Sequence, residues 1–381
     1  MALQLSVVLM GVEALLKLRH AFWRLIWEQS PDGANDLQWF HTVVHQWFAG
    51  RFLYTQDEGA TYPPATYAIL WPLLGWVGFT PARWLWAATA VAALAWLAYL
   101  LVRESGAKTP LERLFITLVV LSMQATSVTI GNGQLIIHLL PALLAGLVLM
   151  HRGRGTWGRD LVSAALILAS LVKPSVSVPF FWMVLFVPGR LRPALLVSLG
   201  YVALTMFSAS FQDAGLPILI SGWIARISEF AVVVGNANLH LWLGALGLKQ
   251  LIFPASLVAL VALGIWSYLH RDRDFWLLLG VTALFARLWT YHRFYDDLLI
   301  LLPIIALFRL AKGHPRDDGG DITAGLLLAI TYAGLLAPGR PVLFGRVWHF
   351  LFGAAQAAIW IVVLIFFLTL AGREKAYKSA V

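Results

Sequence analysis

Lys173 is the residue that packing alone explains least well. It lies inside the apolar stretch 161–188, which carries no other charge, and Pro174 follows it. A charge at mid-span costs roughly 2.5–3.5 kcal/mol on membrane-insertion scales. The arms on either side, about 12 and 15 residues at about 1.5 Å per residue, reach only some 18–22 Å, short of a full crossing. Both arms are therefore expected to meet below the outer surface, where a lysine stays charged only beside a watered or anion-filled cavity. Composition alone favours a blander alternative, a side chain that snorkels to the membrane surface.

The segment from Ser30 to Pro64 is a second concentration of polar groups. Asn35 or Asp36 is placed to cap a helix over 37–48, whose Leu37, Phe40, Val44 and Trp47 recur at helical spacing, and that helix is expected to lie on the membrane. On these residues alone Asp36 reads as a cap before it reads as a catalytic base. His41 and His45, four apart, suit two metal ligands, but no third is identifiable and an interfacial polar face explains them as well. No metal or other cofactor is expected. The third island is Arg287 to Asp297, squeezed between apolar runs at 275–286 and 298–308. On a helix, His292 and Asp296 would present a cation and a carboxylate together, with Arg293 adjacent. An aromatic belt with paired charges accounts for the same residues. Residues 131–134, Gly-Asn-Gly-Gln, form a turn between two spans whose backbone donors could meet a phosphate.

The elements that must position these islands are membrane helices. Of 381 residues 60% are apolar and only 12% charged, with mean hydropathy +0.77, against about 25% charged residues in an ordinary soluble domain. Runs such as 81–102, 133–150 and 346–371 are long enough to cross a hydrocarbon core of roughly 30 Å as helices, and they lack the alternation of a barrel. Cysteine is absent, which excludes disulfides and thiolate chemistry. The net charge of +9 sits in short loops, a pattern of topology and not of nucleic-acid binding. Sixteen of the 28 basic residues fall in six short segments: 103–113, 151–159, Arg190 and Arg192, Arg271 and Arg273, Arg309 to Arg316, and the tail Arg373 to Lys378. All six are assigned to the cytoplasm. The opposite side receives 22–80, 131–134, 211–250, 289–297 and 338–345.

Residues 1–22 read as a retained first span, since Glu13 and Lys17 interrupt them and no cleavage site follows. Residues 63–79, rich in Pro and Gly, are expected on the membrane surface. The whole chain, 1–381, then forms one integral membrane domain of about twelve spans, with both termini cytoplasmic and no separate soluble domain. No Walker loop, dinucleotide fingerprint or serine elbow stands in a supporting context. An enzyme of this kind must receive its energy in a substrate reached from the outer face.

In order and placement these islands resemble glycosyltransferase family 87, the polytopic C-type enzymes that use a polyprenyl-phosphate sugar. The shared features are Asp36 in the first outer loop, Leu53-Tyr54 then Tyr62 to Pro64, Asn132 to Gln134, Lys173-Pro174, and the aromatic and histidine cluster Trp289 to His292 leading into Leu301 to Pro303. The family cluster commonly reads Ser-Trp-x-His-His or Ser-Trp-x-His-Tyr. Here Leu288 to Arg293 departs from it, so either Tyr291 or His292 takes the place of the family histidine, and Arg293 and Asp296-Asp297 suggest a variant subgroup.

The resemblance implies a C-type all-α fold in the plasma membrane. It implies transfer, with inversion, of a hexose, typically mannose, from a polyprenyl-phosphate donor to a lipid-linked or glycan acceptor at the extracytoplasmic face. Asp36 matches the position thought to take the acceptor proton. A departing phosphate, with a second pKa near 6, needs no acid but wants cations, so Lys173, His292 and Arg293 are expected at the donor phosphate. Tyr62, Asn132, Gln134, Tyr291 and Asp296 are expected to contact substrate. A lipid-sugar carrier is the rival from another class, because intramembrane charge and broken helices also mark carrier sites.

Overall fold

The computed structural model describes residues 2–29, 31–55, 59–153, 155–233, 238–313, 319–336 and 345–379. These are helical throughout, with no strand among them. In chain order the helices are α1 (Ala2–Ile26), α2 (Asn35–Phe48), α3 (Pro64–Leu74), α4 (Phe79–Glu104), α5 (Pro110–Ser122) and α6 (Gln124–Asn132). Then follow α7 (Ile136–Arg152), α8 (Trp157–Ser170), α9 (Pro174–Ser177), α10 (Phe181–Phe186), α11 (Arg192–Ala209) and α12 (Leu216–Val233). The last six are α13 (Leu239–Ala245), α14 (Ile252–Leu269), α15 (Phe275–Trp289), α16 (Leu301–Ala311), α17 (Gly320–Leu336) and α18 (Gly345–Ser379). A 3₁₀ turn, Phe294–Ile300, leads into α16.

Among the described residues four helices are long and apolar enough to cross a bilayer: α4, α11, the stretch Lys249–Leu269 that contains α14, and Leu351–Arg373 within α18. Helices α5 and α6, bent by 48° where they meet, make a fifth if taken as one. α1, punctuated by Glu13, Lys17, Arg19 and Arg24, is not among them. Several apolar runs of the sequence fold as shorter pieces, among them α7, α15 and Pro174–Phe186. Hydropathy counts runs, whereas broken backbone is tolerated at depth wherever surrounding protein can satisfy it.

The core is built on α7, α15 and the 294–311 segment. α15 is buried from Phe275 to Leu288 except at Phe285, and α16 is buried from Leu301 to Leu307. An apolar helix with no polar face belongs inside a ring of other helices, and α14, α16 and α18 pack around α15. Around this centre α3 departs from its expected surface position. It is wedged between α2 and α11, with Pro64 to Ala68, Leu70 and Leu74 buried. Tyr67 stacks on Trp47 of α2 at 4.4 Å, and Ser208 of α11 donates to the Pro64 carbonyl at 2.6 Å.

The basic loops gather at one end of the bundle. Arg152 pairs with the buried Glu104 at 2.8 Å, and Arg309 donates to the Glu104 carbonyl at 2.7 Å. Arg190 and Arg192 both clamp the buried Asp160, and Lys312 pairs with Glu112. Four of the six segments grouped by charge in the sequence are thus tied together on one face. Arg154, Arg316 and residues 338–344 lie outside the described residues.

Candidate active site

Helix α8 stops at Ser170, and the chain turns through Leu171 to Lys173 before Pro174 starts α9. Proline disfavours helical geometry in the residue before it, and Lys173 sits at φ −125°, ψ 86°. The carbonyls freed by the break are satisfied by side chains: Ser177 donates to Ser170 at 2.7 Å and Thr66 to Val172 at 2.8 Å. Lys173 does not snorkel. It is 3% exposed, and its Nζ donates to Asp296 Oδ1 at 2.6 Å while lying 4.7 Å above the Tyr295 ring. A carboxylate at that distance offsets part of the cost of burying the ammonium in an apolar bundle.

Asp296 is the hub of the 287–297 island. Helix α15 ends at Trp289, so residues 290–293 are extended and not helical as the spacing had suggested. His292 nonetheless meets Asp296, its Nδ1 lying 3.0 Å from Oδ2, and the Arg293 backbone N–H donates to the same oxygen at 3.3 Å. Both Asp296 oxygens are therefore engaged by protein, which makes it an organiser of Lys173 and His292. Behind it Arg287 and Asp297 form a second, fully buried pair at 2.7 Å, with the guanidinium 4.7 Å over the Trp360 ring. These are interior ion pairs and not an interfacial aromatic belt.

A carboxylate accepts, so His292 Nδ1 carries the proton and its Nε2 presents a lone pair. That Nε2 is buried with no hydrogen-bond partner. Burial is the largest influence on the ring and lowers its pKa, with Asp296 pulling the other way. Burial likewise pushes the Tyr62 hydroxyl well above the ordinary tyrosine range and Tyr291 up to about 12, so both stay protonated.

Asp36 reaches this cluster from the other side. It is not the cap of α2: the helix begins at Asn35, and Ala34 before it, at φ 50°, offers no side-chain cap. Ala34 is held from outside, its N–H donating to the Gly131 carbonyl at 2.9 Å. Gly131 belongs to the glycine turn, which closes α6 as a Schellman motif. Gly133 N–H returns to Ile130 and Gln134 N–H to Thr129, with Gly133 in the left-handed region at φ 72°. Those two donors are spent and do not face a phosphate. A Cβ on Gly133 would sit 2.4 Å from Leu37 Cβ, so the turn is the seat on which the start of α2 rests. Asn132 accepts from Arg24 at 2.8 Å, and Gln134 is buried with an unpartnered Oε1.

On that seat Asp36 is half-buried, with Oδ2 enclosed and unpartnered. Its field is felt at Tyr62, Tyr291, Arg293 and Tyr295. Tyr62 packs against Trp39 and Phe40 of α2, and its carbonyl accepts from Tyr54 and Tyr67. His41 and His45 stand apart in role, with His41 Nε2 bonded to the Val77 carbonyl at 2.8 Å. Among the described residues no three His, Asp or Glu side chains group as metal ligands.

Lys173, Tyr62 and Tyr291 line a cavity of about 290 Å³. Its other walls are largely apolar, with Trp223 and Ile227 from α12 and Phe253, Leu257 and Leu260 from α14. Phe253 and Leu257 are also more than half exposed on the outer surface of the bundle. Of the residues singled out in the sequence, Tyr62, Lys173 and Tyr291 line this cavity, whereas Asp36, His292, Arg293 and Asp296 are not among its lining residues. Nothing in spacing pairs Lys173 with Asp296, and His240, another lining residue, carries no local signal in the apolar Leu239–Ala245.

No curated protein and no solved structure matches the chain. The model of glycosyltransferase family 87 matches residues 60–297, a span that holds Tyr62, the glycine turn, Lys173 and the Asp296 cluster but stops short of Asp36. That is more than half of an all-helical chain with membrane-length apolar helices, and the protein belongs to glycosyltransferase family 87.

Proposed function

We propose that the protein moves a hexose, mannose in the simplest case, from a polyprenyl-phosphate donor to a lipid-linked or glycan acceptor, with inversion. The observation that carries this reading is the Lys173 ammonium, set in the wall of a largely apolar cavity that borders the outer surface of α14. An isoprenoid chain fits between α12 and α14 while its phosphate meets Lys173. Lysine has three N–H donors, and the Asp296 contact occupies one. The others are available to the phosphate.

In this reading the acceptor oxygen attacks the anomeric carbon, Asp36 takes its proton, and the electron pair of the breaking C–O bond passes to the phosphate. A phosphate monoester leaves as an anion without an acid, so one carboxylate suffices. Arg293, within the field of Asp36, adds positive charge where the phosphate departs. His292 takes a different part from the phosphate ligand expected of it: a neutral ring with a bare Nε2 accepts, and so suits a sugar or acceptor hydroxyl. The tyrosines 62 and 291, held neutral, are hydroxyl partners and not nucleophiles.

The face bearing the basic loops is the cytoplasmic one, and the site opens to the extracytoplasmic side of a plasma membrane crossed about twelve times. Asn132, tied to Arg24, and Gln134 support the seat of α2 more directly than they meet substrate. No metal takes part. Purified protein given a polyprenyl-phosphate hexose and a lipid acceptor should form a glycosidic bond. Asp36→Asn should lower that rate by about 10²–10⁴-fold while the protein still folds. Normal turnover in the variant removes Asp36 from the mechanism, and lipid-sugar flux without a new bond replaces transferase with carrier.

A further inference from the structure

One wall of the cavity carries polar groups that the mechanism above leaves idle. His240 on α13 is 7% exposed and is held at both ring nitrogens. Ser256 Oγ lies 2.5 Å from Nε2 and donates its own hydrogen to the Ile252 carbonyl at 2.7 Å. With that hydrogen spent the serine accepts, so Nε2 carries the ring proton. Nδ1 is then bare and accepts from Thr290 Oγ1 at 3.3 Å. A directed chain results, from Thr290 through His240 and Ser256 to the backbone of α14.

Thr290 is the first residue past α15, in extended backbone at φ −134°, ψ 177°. Its side chain and the Trp289 indole, which donates to Ser175 at 3.2 Å, are anchors on either side of the point where the chain leaves the helix. The three residues that follow are Tyr291, His292 and Arg293. Burial, with the neighbouring His292 second, pushes His240 down to about 4, so its ring is neutral.

We propose that His240 is a positioning residue that fastens Thr290, and with it the Tyr291 to Arg293 segment, to the membrane-facing helix α14. The proposal rests on the transferase reading and deepens it: a lipid lodged against Phe253 and Leu257 on α14 bears on the same helix that sets the reach of His292 and Arg293. Both ring nitrogens are committed to protein, so the histidine acts through Thr290 and not on substrate.

The two amide analogues of histidine separate the links. An asparagine amide overlays Nδ1 and keeps the Thr290 bond, whereas a glutamine amide overlays Nε2 and keeps only Ser256. His240→Gln and Thr290→Val, which cut the chain at Thr290, and His240→Asn, which cuts it at Ser256, are each expected to lower kcat about tenfold with donor KM changed less than about twofold. Parent-like kcat in any of the three overturns the proposal, because each removes one link between Thr290 and α14. Should the parent transfer no sugar, the transferase reading fails on its own account. The link is then read from Tm in detergent, where His240→Gln and Thr290→Val should be non-additive, and additive losses overturn it.

Discussion

Two lysines of this protein, Lys17 within α1 and Lys173 at the break between α8 and α9, are used in opposite ways. Lys17 on α1 spends all three donors on protein: Glu13 at 2.7 Å, the Ser122 carbonyl at 2.9 Å and the Leu336 carbonyl at 3.2 Å. Ser122 is the last residue of α5, so Lys17 caps a helix C-terminus whose carbonyl has no helical partner, and Leu336 is the last described residue of α17. Lys173 spends one donor on Asp296 and lines a cavity with the rest. Lys173 is the more deeply buried of the two, and the count of committed donors distinguishes a fastening from a binding group.

The sharpest way to break that contrast is to remove each ammonium in turn. Lys173→Met should lower transfer by about 10²-fold or more, chiefly through weaker donor binding, because a charge-assisted contact to phosphate is lost. Lys17→Met should leave turnover per folded molecule within about threefold but lower Tm, since two carbonyls lose a partner at about 1–3 kcal/mol each and the partly exposed Glu13 loses less. A reversed pattern, or unchanged donor affinity in Lys173→Met, would show that donor counting misassigns them.

A smaller effect comes from the seat of α2. Gly133→Ala forces an L-residue into the left-handed region and drives a methyl to within 2.4 Å of Leu37 Cβ. It should cost about 1–3 kcal/mol in stability and reduce transfer further by shifting Asp36. Unaltered Tm and activity would mean that the turn does not hold the helix.

The smallest expected change is with pH. Burial depresses His240 to about 4 and lowers His292, so both rings are neutral in the fold while an unfolded histidine protonates below 6.5. Their stabilising share is complete above pH 6.5 and is lost as the pH falls through the window toward 4. Tm in detergent should decline across that window, and less steeply in His240→Asn. An identical slope in the variant would remove His240 from the linkage.

Much of this was legible from residue order. The helical class, the break at Lys173 and the buried face of α2 follow from hydropathy, proline chemistry and helical period. What sequence could not give was contact between distant positions. Asp296, 123 residues from Lys173, looked like one more substrate ligand until its two oxygens were seen to be taken. Asp36 looked like a cap because its spacing fits one, yet the start of α2 is tied down by a neighbouring turn. The glycine turn looked like an anion nest because local sequence does not reveal that its N–H groups close their own helix. Counting apolar runs also hides how many are broken to make room for the site.

The bond between Ala34 and Gly131 carries a consequence for biosynthesis. The helix bearing Asp36 emerges among the first segments of the chain, but the turn that fixes its start is made about 100 residues later, after α3 to α6 have been delivered to the bilayer. Until then α2 has no external anchor for its first turn. Competence for transfer is therefore acquired late, when the corner between α6 and α7 arrives, and the early loop waits in a provisional register.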